Sequence, residues 1–146
     1  MELGLPASLH GDLARRAAPV ACGAALVASA AFVASHDPSA PGSRFPACLF
    51  HQTTGLWCPG CGLTRGTYQL FHGHIGAALS SNIFTPFALA AIVIVWVVWL
   101  RTSWGAMPIR VPQRAWRSLA LAMPVLIIVY GVLRNLPVDP LRALAP

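Results

Sequence analysis

The run Cys58-Pro59-Gly60-Cys61-Gly62-Leu63-Thr64-Arg65 is where residue types and spacing could do chemistry. Two thiols separated by two residues can share a metal ion, cycle between dithiol and disulfide, or close a static bridge. Cys48 and His51 precede them, so the order is Cys-x2-His-x6-Cys-x2-Cys. Each two-residue gap lets its flanking ligands reach one ion, and a Cys3His shell suits tetrahedral zinc. The redox reading uses other features. Cys61 opens a predicted helix, where backbone N–H groups and the helix dipole stabilise a thiolate. Arg65, one turn later on the same face, adds positive charge. Thiol oxidoreductases usually carry such a pair within a βαβ pattern, which is missing from this sequence. A static disulfide, Cys58 to Cys61 or Cys48 to either, would instead clip the loop to a membrane surface. All three readings stay open on the residues alone. Cys22 reads as a small apolar residue within a hydrophobic run. His72 and His74 read as surface or interface residues, and His10 and His36 carry no signal.

The elements that must position these residues belong to a membrane protein. Hydrophobic residues make up 56% of the chain and charged residues only 10%, with a mean hydropathy of +0.64. A soluble domain carries about 25% charged residues. The net charge of +6 comes from arginine, because the sequence has no lysine. Abundant Ala, Pro, Gly and Arg without Lys suggest a GC-rich bacterial genome. The arginines flank apolar segments and form no continuous patch, which argues against nucleic acid as a partner.

Three runs are apolar enough to span a bilayer. The first, about 17–35, is rich in Ala, Gly and Ser, as suits a helix packed against protein. A signal peptide cleaved after Ala28-Ser29-Ala30 is the rival reading, but that box lies inside the apolar run. The second, about 86–103, has Thr85 as expected N-cap and Pro86 at the first helical position. Trp96, Trp99 and Trp104 cluster at its end as an interfacial belt. The third, about 112–134, contains Pro124, expected to kink it. Between the first two runs, residues 62–79 carry Leu63, Thr67, Leu70, Phe71, Ile75, Ala78 and Leu79 at helical spacing, predicting one amphipathic helix at the membrane surface. Ser80-Ser81-Asn82 ends it with turn chemistry.

The expected fold is therefore all-α: an integral membrane protein with three transmembrane helices and one interfacial helix. Residues 1–16 form a cytoplasmic tail and 17–146 a single membrane domain. Arg15, Arg16, Arg101, Arg110, Arg114 and Arg117 share one side, against Arg44, Arg65, Arg134 and Arg142 on the other. The positive-inside rule then puts the N-terminus in the cytoplasm and the cysteines outside a bacterial inner membrane. Asn82, Arg134 and Asn135 fall at the cysteine end of the bundle. An arginine at the edge of hydrocarbon needs compensation. With only Glu2, Asp12, Asp37 and Asp139 as acids, that compensation is expected from carbonyls around the cysteine cap.

Cys48 and the stretch from Thr54 to Arg65 resemble the signature of bacterial membrane proteins grouped as domain of unknown function 2752. Residues 71–75, 78–82 and 133–137 are also similar to that pattern, although Ile83 stands where the pattern has proline. The resemblance implies a small polytopic inner-membrane protein and no particular activity. The role expected from the whole sequence is a non-enzymatic partner or scaffold with a cysteine-clipped outer cap, set in lipid and meeting another membrane protein. The alternative is a thiol-redox or metal-handling protein, with zinc as the candidate ion, working through Cys48, Cys58 and Cys61 with His51 as a further ligand. Arg65, Asn82, Arg134 and Asn135 support the site in either case.

Overall fold

In hydrocarbon a chain must satisfy its own backbone, and a helix does so within one segment. The computed structural model describes residues 7–138, with Glu2, Asp139, Arg142 and the first part of the expected tail outside that range. Among the described residues the regular structure is entirely helical. Three helices are long and apolar enough to cross a membrane: α1 (Ala7–Ser35), α5 (Thr85–Ser103) and α6 (Gln113–Leu133). Between α1 and α5 lie three short ones, α2 (Leu49–Thr54), α3 (Leu63–Phe71) and α4 (Ile75–Ser81).

The stretch expected to be one amphipathic helix is thus two. Gly73 takes a φ of +77°, in the left-handed region that ends helices, and the His72 and Gly73 N–H groups close on α3 carbonyls. α3 and α4 pack closely on one another as a helical hairpin. That hairpin rests on α5, and α3 also touches α1.

Burial runs opposite to that of a water-soluble domain. Ile94, Val95, Leu121 and Ile128 are exposed, whereas Asn82, Thr85 and Arg134 are almost fully buried. Lipid is the solvent for apolar side chains, so polar groups gather inside. α1 and α5 run side by side. Gly23 leaves room for the Trp96 ring, and Trp96 Nε1 donates to the Pro19 carbonyl at 2.9 Å. α6 continues through Pro124 and shares no extended seam with another helix.

The start of α5 differs from expectation in its cap. Thr85 is buried and its hydroxyl has no partner among the described residues. The N-cap is Phe84, without a side-chain capping bond, and Asn82 Oδ1 accepts the Phe84 N–H at 2.9 Å in the turn that leads into the helix. An Asn side chain reaching a residue two positions on is a standard local closure.

Candidate functional site

After α1 the chain crosses residues 36–47 and reaches Cys48, the N-cap of α2. Trp57 then leads into the Cys58-Pro59-Gly60-Cys61 turn, closed by the Cys61 N–H on the Cys58 carbonyl at 3.0 Å. Gly62 follows with a φ of +84° and starts α3. A side chain at that φ would be strained, so glycine lets the chain swing into the helix immediately behind the second cysteine.

This path brings three sulfurs together. Cys48 Sγ lies 3.4 Å from Cys58 Sγ, and Cys58 Sγ lies 2.8 Å from Cys61 Sγ. All three are within 4.8 Å of one another. All four cysteines are free thiols, and Cys22 stands apart in α1. His51, the fourth member of the expected ligand set, is outside the group. Its Nδ1 meets the Leu56 carbonyl at 3.2 Å and its ring stacks on Trp57 with centroids 3.9 Å apart.

The loop carrying the thiols is held from beneath by carbonyl contacts. Arg134, at the end of α6, donates from Nη1 to the Cys58 and Cys61 carbonyls, each at 3.0 Å. Asn82 Nδ2 donates to the Pro59 carbonyl at 2.8 Å and the Cys61 carbonyl at 3.1 Å. Asn135 grips Trp57 on both backbone groups, accepting its N–H at 2.8 Å and donating to its carbonyl at 2.8 Å. Pro59 itself sits on Gly131 of α6, where an added Cβ would come within 2.9 Å of the proline ring.

Arg134 is only 1% exposed. The carbonyl oxygens of the loop, the Tyr130 ring 5.1 Å from the guanidinium carbon, and the negative end of α6 compensate its charge. Its Nε and Nη2 have no partner among the described residues. The sequence pointed to Arg134, Asn135 and Asn82 through their polarity at a membrane boundary. It carried no sign of the Pro59–Gly131 approach or of Trp57 as the residue Asn135 grips, since both depend on which helix end meets the loop.

Above the sulfurs lies a cleft of about 510 Å³ whose walls include Cys48, His51, Trp57, Cys58, Cys61 and Arg65. The thiols differ in character across it. The His51 backbone N–H, followed by the Cys61 and Cys58 thiols, brings the Cys48 thiol down to about 7. Burial, reinforced by the Cys58 thiol, pushes Cys61 up to about 12. Arg65 Nε is buried without a partner among the described residues.

The three sulfurs converge as metal ligands can, at separations of 3.4 and 2.8 Å along the Cys48–Cys58–Cys61 path. Sulfurs bound tetrahedrally to zinc at 2.3 Å would lie about 3.8 Å apart. The observed separations are shorter, so binding such an ion would require the sulfurs to move apart.

Residues 48–96 match the model of a family described as protein of unknown function (DUF2752). That match bears out the resemblance read from the sequence over this segment; residues 133–137 lie beyond it. No curated protein and no solved structure matches the chain.

Proposed function

We propose that this chain is a metal-handling membrane protein that holds a zinc-class ion on the Cys48, Cys58 and Cys61 thiolates. In this reading the N-terminus is cytoplasmic, the cysteine cap lies outside a bacterial cell membrane, and the ion takes the place of a disulfide as the clip of the cap. The observation that carries it is the mutual approach of three sulfurs within 4.8 Å. A disulfide needs two sulfurs and leaves the third without purpose. A soft or borderline cation uses all three, and thiolate ligands select such cations. The carbonyl grips of Arg134 and Asn82 support the same reading, since they fix the backbone on which the ligands are mounted. When bound, the ion would hold all three thiols deprotonated, including the buried Cys61.

A thiol-redox reading draws on a different observation. The Cys58 sulfur lies close to both of its neighbours, and Cys48 forms a thiolate readily, so the pair could exchange partners. Metal analysis together with thiol titration on the purified full chain separates the two. The expected result is stoichiometric zinc, with cluster thiols that react only after chelation. Metal-free protein with reactive thiols would favour redox exchange, and metal-free protein with two thiols missing would favour the static clip.

A further inference from the structure

The three sulfurs leave a tetrahedral ion one ligand short: His51, the group best placed in sequence to complete it, is not among the ligand atoms that gather within 4.8 Å of one another, and its ring is stacked on Trp57. Structural zinc sites are closed by four protein ligands, whereas working sites keep a position open. Here the open position belongs to a cleft of about 510 Å³. One water occupies about 30 Å³, and small-molecule sites run from about 300 to 1,000 Å³. The cleft is therefore sized for a molecule. Arg65 lines it, makes no side-chain hydrogen bond among the described residues, and keeps a buried Nε without a partner.

We infer that the cleft binds a small thiol bearing a carboxylate, with the sulfur as fourth ligand to the ion and the carboxylate on Arg65. The inference rests on the metal reading above and adds the class of ligand. Softness selects the donor: an ion held by three thiolates takes a fourth sulfur readily. Charge and geometry select the second group: a guanidinium without an acid partner matches a carboxylate through paired N–H donors. The exchange is a ligand substitution. The incoming thiol gives its proton to solvent, the thiolate binds the ion, and the water it replaces leaves the cleft. Either a free metabolite thiol or a cysteine-bearing carboxylate at the end of a peptide presents this chemistry.

The test uses the whole 146-residue chain in nanodiscs loaded with Co2+, whose ligand-field and sulfur charge-transfer bands report a new thiolate. Two probes of similar size are titrated: 3-mercaptopropionate, which carries a carboxylate, and 2-mercaptoethanol, which does not. A charge-assisted contact predicts that the acid binds about tenfold more tightly. Arg65→Gln removes that preference and leaves 2-mercaptoethanol binding as in the wild type, while Arg65→Lys keeps part of it. A cysteinyl peptide with a free C-terminal carboxylate separates the sources: binding equal to the acid points to a peptide, and exclusion points to a free small thiol. Equal affinities for the two probes in the wild type, or a preference that survives Arg65→Gln, would overturn the inference while leaving the metal reading intact. Failure of the wild type to bind Co2+ would overturn both.

Discussion

α5 and α6 are two apolar spans of nearly equal length, with 19 and 21 residues, yet they are held in opposite ways. α5 lies along α1, with Trp96 over Gly23 and bonded to the Pro19 carbonyl. α6 leaves its shaft to lipid and is fastened at its C-terminal end, where Tyr130 and Arg134 are buried and Asn135 grips Trp57. The contrast follows from the solvent. Lipid tails are as apolar as leucine, so an exposed shaft loses little by lacking a protein neighbour. A polar group at the same depth must find a partner, so polar contacts decide where a span is fixed. α6 thus works chiefly as a stem that delivers Arg134, Asn135 and Gly131 to the cysteine loop.

The largest effect is expected from cutting that stem loose. Arg134→Leu leaves the Cys58 carbonyl only the Cys61 N–H and the Cys61 carbonyl only Asn82 Nδ2, and a hydrogen bond from a charged donor is worth about 1.5–3 kcal/mol. Maleimide labelling of Cys58 and Cys61 in metal-free membranes should rise about tenfold or more. Arg134→Lys, which keeps a donor and the charge, should move labelling less. Unchanged labelling in the leucine variant would mean that the Arg134 contacts do not hold the cysteine loop in place.

The cap can also be separated from the spans by its chemistry with pH. The thiolate is the nucleophile, and Cys48 stands at about 7, so its alkylation in metal-free protein should be near full rate at pH 8. At pH 6 only about a tenth of Cys48 is thiolate, and the rate falls accordingly. Cys61, pushed up to about 12, should stay inert across that range. Mass spectrometry of iodoacetamide adducts after timed quenching reads both. Equal rates at the two cysteines would mean that burial does not set Cys61 apart.

A smaller effect is expected from Gly131→Ala. Its new Cβ would come within 2.9 Å of the Pro59 ring, and overpacking of this kind costs about 1–3 kcal/mol. The loop should lift from α6 and bind metal more weakly, with the α1–α5 contact unaffected. The smallest effect is expected from Ile128→Ala on the exposed shaft. Exposed substitutions of this sort stay within about 0.5 kcal/mol, so thermal unfolding in detergent should match the wild type. A marked loss there would show that the shaft has a protein partner after all.

The spans were legible because an uncharged run about 20 residues long has few other uses. Arg134 and Asn135 were legible because polar residues at a membrane boundary are costly and demand a reason. Three details were hidden by competing signals. The apolar spacing from Leu63 to Leu79 runs straight through Gly73, so periodicity hid the hairpin. Thr85 has the composition of a cap, but it lies buried as the first residue of α5 and Phe84 stands at the N-cap. His51 has ligand spacing, and its stacking on Trp57 is a tertiary contact that spacing does not encode.

The claim that three sulfurs form one centre, fixed by the end of α6, is tested most directly by X-ray absorption at the zinc edge of the purified full chain. The expected spectrum has three protein sulfur neighbours at about 2.3 Å, and one sulfur fewer in Cys48→Ser. A zinc shell of nitrogen and oxygen alone, or protein that carries no metal, would contradict it.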